Sequence, residues 1–153
     1  MHTHHTTITI LLTALLIFSC HESEPEFEVT VRDAVLQAHW DTFLHEAEIR
    51  DVAIRKLDMV IMLDTLAGWA ASSQATRTWY MRFNRDLFPL WPYLWQELVF
   101  IHECGHSVFY YSHDEPNFIM SLYSKDRYAA VGYYASHREE CLNEFFQSKP
   151  TPA

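Results

Sequence analysis

Within His102-Glu103-Cys104-Gly105-His106, two imidazoles stand four residues apart with a carboxylate between them. A helix turns about 100° per residue, so His106 lies about 40° round from His102 and both rings leave one face, one turn apart. Neutral imidazole is the commonest side-chain metal ligand, and two on one face can grip one ion. Glu103 projects about 100° from His102, too far round to be the obvious third ligand but well placed to touch a metal-bound water. It suits a general base. The bare pattern is weak, because among 10 His chance alone supplies such a spacing in about one chain in twenty. Context adds weight: His113 follows seven residues after His106. A catalytic tetrahedral zinc site takes three protein ligands and a water, and a histidine just past the helix end completes that count. Asp114 is a substitute ligand or a partner to one. Glu139, Glu140 and Glu144 could instead supply a glutamate ligand, although beside Leu142, Phe145 and Phe146 they read more simply as a solvated helix face.

The elements that must hold these residues can be read from periodicity. Leu94, Leu98, Ile101, Gly105 and Val108 recur at i, i+4, i+7, i+11 and i+14, a core stripe separate from the histidine face. Upstream, the apolar positions from Val31 through Ala34, Val35, Ala38, Trp40, Phe43 and Leu44 to Ala47 predict an amphipathic helix beginning near Thr30, with Thr30 and Asp33 as a capping-box-like start. Leu57–Leu63 predicts a strand. Ser72-Ser73-Gln74 reads as a turn, and the alternation of Trp79, Met81 and Phe83 predicts a half-buried strand over Thr78–Phe83. Pro89 and Pro92 punctuate the approach to the histidine-bearing helix. The expected class is α+β: an N-terminal helix, a short mixed sheet, the histidine-bearing helix and a C-terminal helix. His39, His45 and His137 read as packing or surface residues. Cys104 and Cys141 could form a disulfide, or Cys104 could simply pack inside its helix.

The run from His102 to Tyr123 resembles the metzincin class of zinc metallopeptidases, whose motif is His-Glu-x-x-His-x-x-Gly-x-x-His followed by a methionine-containing turn. Ile119-Met120-Ser121 looks like that turn. The run is particularly similar to exported bacterial metallopeptidase-like proteins with one extra residue between the second and third histidines. Two departures stand out: Phe109 occupies the usual glycine position, and His113 comes one residue late, so the helix must end differently. The resemblance implies that His102, His106 and His113 bind zinc and that Glu103 deprotonates the zinc-bound water and later protonates the leaving amine. It also implies that Met120 supports the base of the site, that Tyr123 donates to the oxyanion, and that an edge strand binds substrate, for which Leu66–Ala71 is the candidate stretch. The fold it implies is a small metzincin-like domain, and the activity is peptide hydrolysis.

The front of the chain reads as an address. Ile8–Phe18 has the length of a signal-peptide core and is too short to span a bilayer. Its ending, Ile17-Phe18-Ser19-Cys20, resembles a bacterial lipobox, which implies removal of residues 1–19 and lipidation of Cys20. The acidic stretch at 20–28 reads as a tether, leaving 29–153 as the zinc metallopeptidase domain. The expected location is the bacterial cell envelope, exported and lipid-anchored, at the outer membrane. A formal charge of −9, from 11 basic and 20 acidic residues, repels a phosphate backbone, and three glycines leave no material for a phosphate loop, so no nucleic acid or nucleotide partner is expected. Hydrophobic residues at 49% exclude a disordered chain. The expected partners are a peptide or protein substrate and the membrane, with the chain as a monomer. The alternatives are a catalytically silent zinc-binding or peptide-binding envelope lipoprotein, and a structural module with incidental histidines.

Overall fold

A computed structural model describes residues 28–122 and 125–148. Strand β1 (Val29–Val31) leads into helix α1 (Ala34–Glu48), followed by strands β2 (Asp58–Asp64), β3 (Ala70–Ala75) and β4 (Thr78–Asn84). A 3-10 turn at Phe88–Leu90 then precedes helix α2 (Tyr93–Phe109) and helix α3 (Arg127–Gln147). The architecture is α+β, with the strands in one mixed sheet of order β1-β2-β4-β3. β1 and β4 both run parallel to β2, and only the edge strand β3 is antiparallel, paired with β4 from Ala70 opposite Phe83 to Ala75 opposite Thr78. Thr76, at φ 56°, takes the left-handed conformation that closes the hairpin.

The strands expected at 57–63 and 78–83 are both present, and each buries alternate residues: Met59 and Ile61 on β2, Met81 and Phe83 on β4. Three expectations need correction. The first helix starts at Ala34, because Val29-Thr30-Val31 is β-branched and adds a strand alongside Met59–Ile61. Asp33 remains the N-cap residue and its carbonyl accepts the Leu36 and Gln37 N–H groups, but its carboxylate makes no cap bond and accepts instead from the Leu63 N–H at 2.9 Å. The edge strand runs over Ala70–Ala75 rather than Leu66–Ala71, since Asn84 Nδ2 donates to the carbonyls of Leu66 (2.8 Å) and Gly68 (3.0 Å) and holds that stretch as a loop. Ser72-Ser73-Gln74 consequently lies in the strand, not in a turn; its small polar residues carry little intrinsic β preference, and pairing with β4 supplies it.

Helix α2 occupies the centre. Fourteen of its 17 residues are buried, so the expected Leu98-Ile101-Val108 stripe is one side of a helix covered nearly all round by the sheet, α1 and α3. Leu36, Trp40, Phe43 and Ala47 of α1, at spacings of four and three, pack into the same core. Phe83 stacks on Phe100 at 5.3 Å between centroids, while Phe109, Tyr111, Phe145 and Phe146 join α2 to α3. Cys104 and Cys141 are separate buried thiols, and burial raises the Cys104 thiol well above its ordinary range, with the Glu103 charge adding to it.

A partly buried ionic cluster ties the three helices together. Arg138 follows the break in α3 at His137 (φ −129°, ψ 27°). It donates to Glu97 of α2 at 2.8 Å and to Glu46 of α1 at 2.6 Å. Arg50 donates to Glu46 as well and to Glu139 at 2.8 Å, and the Tyr134 hydroxyl donates to Glu97 at 2.7 Å. Burial pushes the Glu46 carboxyl up, but the hydrogen bonds and charges of the two arginines outweigh it and hold the group below its ordinary value.

Candidate metal centre

His102 and His106 leave α2 one turn apart, as their spacing requires, and the chain then has to return His113 to the same point. Tyr110 achieves this. It adopts φ 59°, ψ 27° at the helix end, and the Tyr111 N–H reaches back to the Gly105 carbonyl at 2.9 Å. The left-handed conformation costs a non-glycine residue about 1 kcal/mol. The ring of Tyr110 is held beneath the Arg55 guanidinium at 3.8 Å and against the Trp79 edge at 5.7 Å, which offsets that cost by a comparable amount. The extra residue before His113 is thus absorbed by continuing the helix through Phe109 and turning at Tyr110.

The result is a triangle of imidazole nitrogens. His106 Nε2 lies 3.1 Å from His102 Nε2 and 3.1 Å from His113 Nε2, with 3.3 Å on the third side. Two of the rings have their other nitrogen tied to a backbone carbonyl: His102 Nδ1–H donates to Ile119 O at 2.8 Å, and His106 Nδ1–H to Tyr111 O at 2.7 Å. A carbonyl only accepts, so the proton sits on Nδ1 and the Nε2 of each neutral ring presents its lone pair. Lone pairs 3.1 Å apart repel one another, and the arrangement makes chemical sense around a cation. An ion about 2.05 Å from each nitrogen, the usual zinc distance, would subtend N–ion–N angles of roughly 98° to 107°, close to tetrahedral with one corner left over. The residues therefore fit a metal ion, and among the described residues they are the group placed to hold one.

Burial differs round the triangle: His102 is fully buried, His106 partly, and His113 exposed. Burial lowers the His102 pKa to about 3, with the neighbouring His106 and His113 adding to the effect and the bond to Ile119 opposing it. The free ring stays neutral and ready to coordinate.

The floor of the site is the 117–122 turn. Asn117 Oδ1 accepts the Met120 N–H at 2.8 Å, and the Asn117 carbonyl accepts the Ser121 N–H at 3.2 Å. This turn presents the Ile119 carbonyl to His102 and drives Met120 under α2. Met120 Sδ occupies the space where a side chain at position 105 would begin, and Phe145 closes the other side at 3.1 Å, so any side chain at Gly105 requires Met120 to move. Glu103 is buried, and its Oε2 accepts the Ser72 hydroxyl at 2.7 Å. Glu103, Ser72, His106, His113, Trp79 and Tyr110 line one open cleft of about 470 Å³.

The other candidates lie elsewhere. Asp114 is exposed, with its N–H directed to Ser112 Oγ at 3.3 Å. Glu139 pairs with Arg50 and Arg138, and Glu144 accepts the Phe118 N–H at 3.0 Å, so these α3 carboxylates are engaged away from the imidazoles. His39 is buried, bonded to Gln96 at 3.0 Å and stacked on Tyr93 and Phe100, a packing residue. Tyr123 and Cys20, with the expected leader at 1–19 and most of the expected tether at 20–28, fall outside the described residues. Ser72, like Tyr110, Tyr111 and Asn117, is a residue of the site that the sequence left unmarked. A serine in a short polar run carries no periodic signal, and only the β3–β4 register brings Ser72 to α2.

No family model, curated protein or solved structure matches this chain. The likeness to metzincins thus rests on the residues of the 102–123 segment.

Proposed function

We propose that this chain is a zinc-dependent peptidase of metzincin-like type, in which His102, His106 and His113 hold the ion and Glu103 is the general base. The observation that carries this reading is the convergence of three Nε2 atoms within 3.1–3.3 Å, two of them fixed in tautomer by backbone carbonyls, on a cleft that Glu103 also lines. A bound zinc ion would supply Lewis acidity toward water and toward a peptide carbonyl. Glu103 takes the proton from the attacking water and later gives it to the departing amine, the task of a carboxylate beside a water-accessible corner. Ile119 and Tyr111, through their carbonyls, fix the tautomer and the aim of two imidazoles. The peptide lies along the cleft beside β3, whose outer edge has no strand partner in the described sheet. Tyr123, three residues past Met120, is proposed as an oxyanion donor on the sequence resemblance alone.

The proposal extends to location. Ile8–Cys20 supports export and lipid anchoring at the bacterial outer membrane, and no helix among the described residues is long and apolar enough to cross a membrane.

Elemental analysis of the purified protein beside activity on a peptide library tests the reading. The expected result is one zinc per chain with cleavage, zinc without cleavage in Glu103→Gln, and loss of zinc in His113→Ala. Zinc without turnover on any peptide would make the chain a metal-holding binding protein, and no stoichiometric metal would leave the imidazoles structural.

A further inference from the structure

Ser72 stands on the antiparallel edge strand, opposite Met81 of β4, and its hydroxyl reaches across to α2. Two acceptors lie within range: Glu103 Oε2 at 2.7 Å and the Glu103 carbonyl at 3.3 Å. The carbonyl already accepts the Ser107 hydroxyl at 2.9 Å. The single Ser72 proton therefore goes to the carboxylate, whose charge also makes it the stronger acceptor. A glutamate side chain has three rotatable bonds, and an unrestrained one spends little time in any single orientation. Here one oxygen is pinned from the sheet side while the residue faces the cleft with His106 and His113.

We propose that Ser72 is a positioning residue that holds the Glu103 carboxylate in its working orientation before substrate arrives, so that the edge strand sets the geometry of the base as well as one wall of the cleft. This inference rests on the peptidase reading above. Hydrogen bonds to a charged group sit at the strong end of the scale, and losing this one removes preorganisation and leaves the ligand triangle untouched.

The test compares Ser72→Ala with the near-isosteric pair Ser72→Thr and Ser72→Val, which keep the strand's shape and differ in the hydroxyl. Zinc content, melting temperature, kcat and KM are measured on each full-length protein, and the zinc-loaded proteins are crystallised. The expected result for Ser72→Ala and Ser72→Val is one zinc per chain, melting lower by no more than a few degrees and equally in both, KM within about twofold and kcat lower by roughly ten- to a hundredfold. Ser72→Thr should restore kcat to within a few-fold. In the crystals the Glu103 carboxylate should be displaced or spread over several rotamers in the Ala and Val proteins and returned to place in the Thr protein. An unmoved Glu103, an unchanged kcat, or a loss that tracks zinc content or melting in every hydroxyl-free variant would overturn the proposal. If the unaltered protein binds zinc yet cleaves nothing, the peptidase reading falls, and the Glu103 positions in the crystals still decide whether Ser72 places that side chain.

Discussion

Gly105→Ala probes the contact between α2 and the 117–122 turn. A methyl group at position 105 lands on Met120 Sδ and comes within 3.1 Å of Phe145, and both neighbours are fully buried. The Met120 side chain must retreat, and because it is fully buried its displacement presses on the turn that carries it, where the Met120 N–H is bonded to Asn117 and the neighbouring Ile119 carbonyl to His102 at 2.8 Å. A shift of about 1 Å stretches that last bond past the hydrogen-bonding range. Overpacking costs about 1–3 kcal/mol, while alanine recovers about 1 kcal/mol of helix propensity over glycine. The net loss of up to about 2 kcal/mol lowers the melting temperature by about 6 °C at most. The effect on the metal is larger, since losing the partner that orients a ligating histidine weakens affinity about 10- to 100-fold. Zinc affinity is read by competition with a chromogenic chelator, and melting by circular dichroism. Gly105→Ala combined with Met120→Ala relieves the collision, so the pair should bind zinc more tightly than Gly105→Ala alone. Unaltered zinc affinity in Gly105→Ala, or a double variant worse than both singles, would refute this account of the floor.

Removing Arg138 by substitution with alanine strips one partner each from Glu46 and Glu97, whose side chains are only 7% and 4% exposed. Because Arg138 itself is 27% exposed, the cost is discounted to about 2–4 kcal/mol, and urea unfolding checks it. Adding Glu97→Gln should recover part of the loss. The metal-free protein should lose stability as pH falls from about 6.5 toward 3. Over that window the unfolded His102 takes a proton that the folded ring, with its pKa lowered to about 3, refuses. That one group accounts for on the order of 4 kcal/mol, and His39, lowered by burial, acts in the same direction; urea midpoints measured across pH should therefore fall with acidity. Cys104 and Cys141 should resist a thiol reagent in the native protein and react at once in denaturant, whereas rapid native labelling of Cys104 would contradict its burial.

The parts of this molecule with strong local signals were legible in the sequence. The 3.6-residue stripe through Leu98 and Ile101 marks α2, the alternation of Met81 and Phe83 marks β4, and the spacing of His102, His106 and His113 marks a set of imidazoles that the fold does bring together. What escaped depends on partners distant in the chain. Ala70–Ala75 is a strand only because β4 pairs with it. Val29–Val31 has the β-branched composition of a strand, but three residues are too few to outweigh the helical pattern that follows. Tyr110 takes the left-handed turn because Arg55 and Trp79 secure its ring, and Arg138 finds Glu46 only through tertiary packing. Ser72 belongs to the same group, invisible as a type and informative only by position.

The uneven burial of the three imidazoles bears on how an ion would be loaded. The deepest ring is walled in by the core, and the outermost sits on a surface segment beyond the helix, so the route in and out passes His113. Chelators should therefore extract the ion at a rate set by displacement of the mostly exposed 112–116 stretch, not by unfolding of α2. Substitutions at the exposed positions of 112–116 would change the residence time, whereas Tyr111, buried and bonded through its carbonyl to His106, belongs to the inner two-histidine seat.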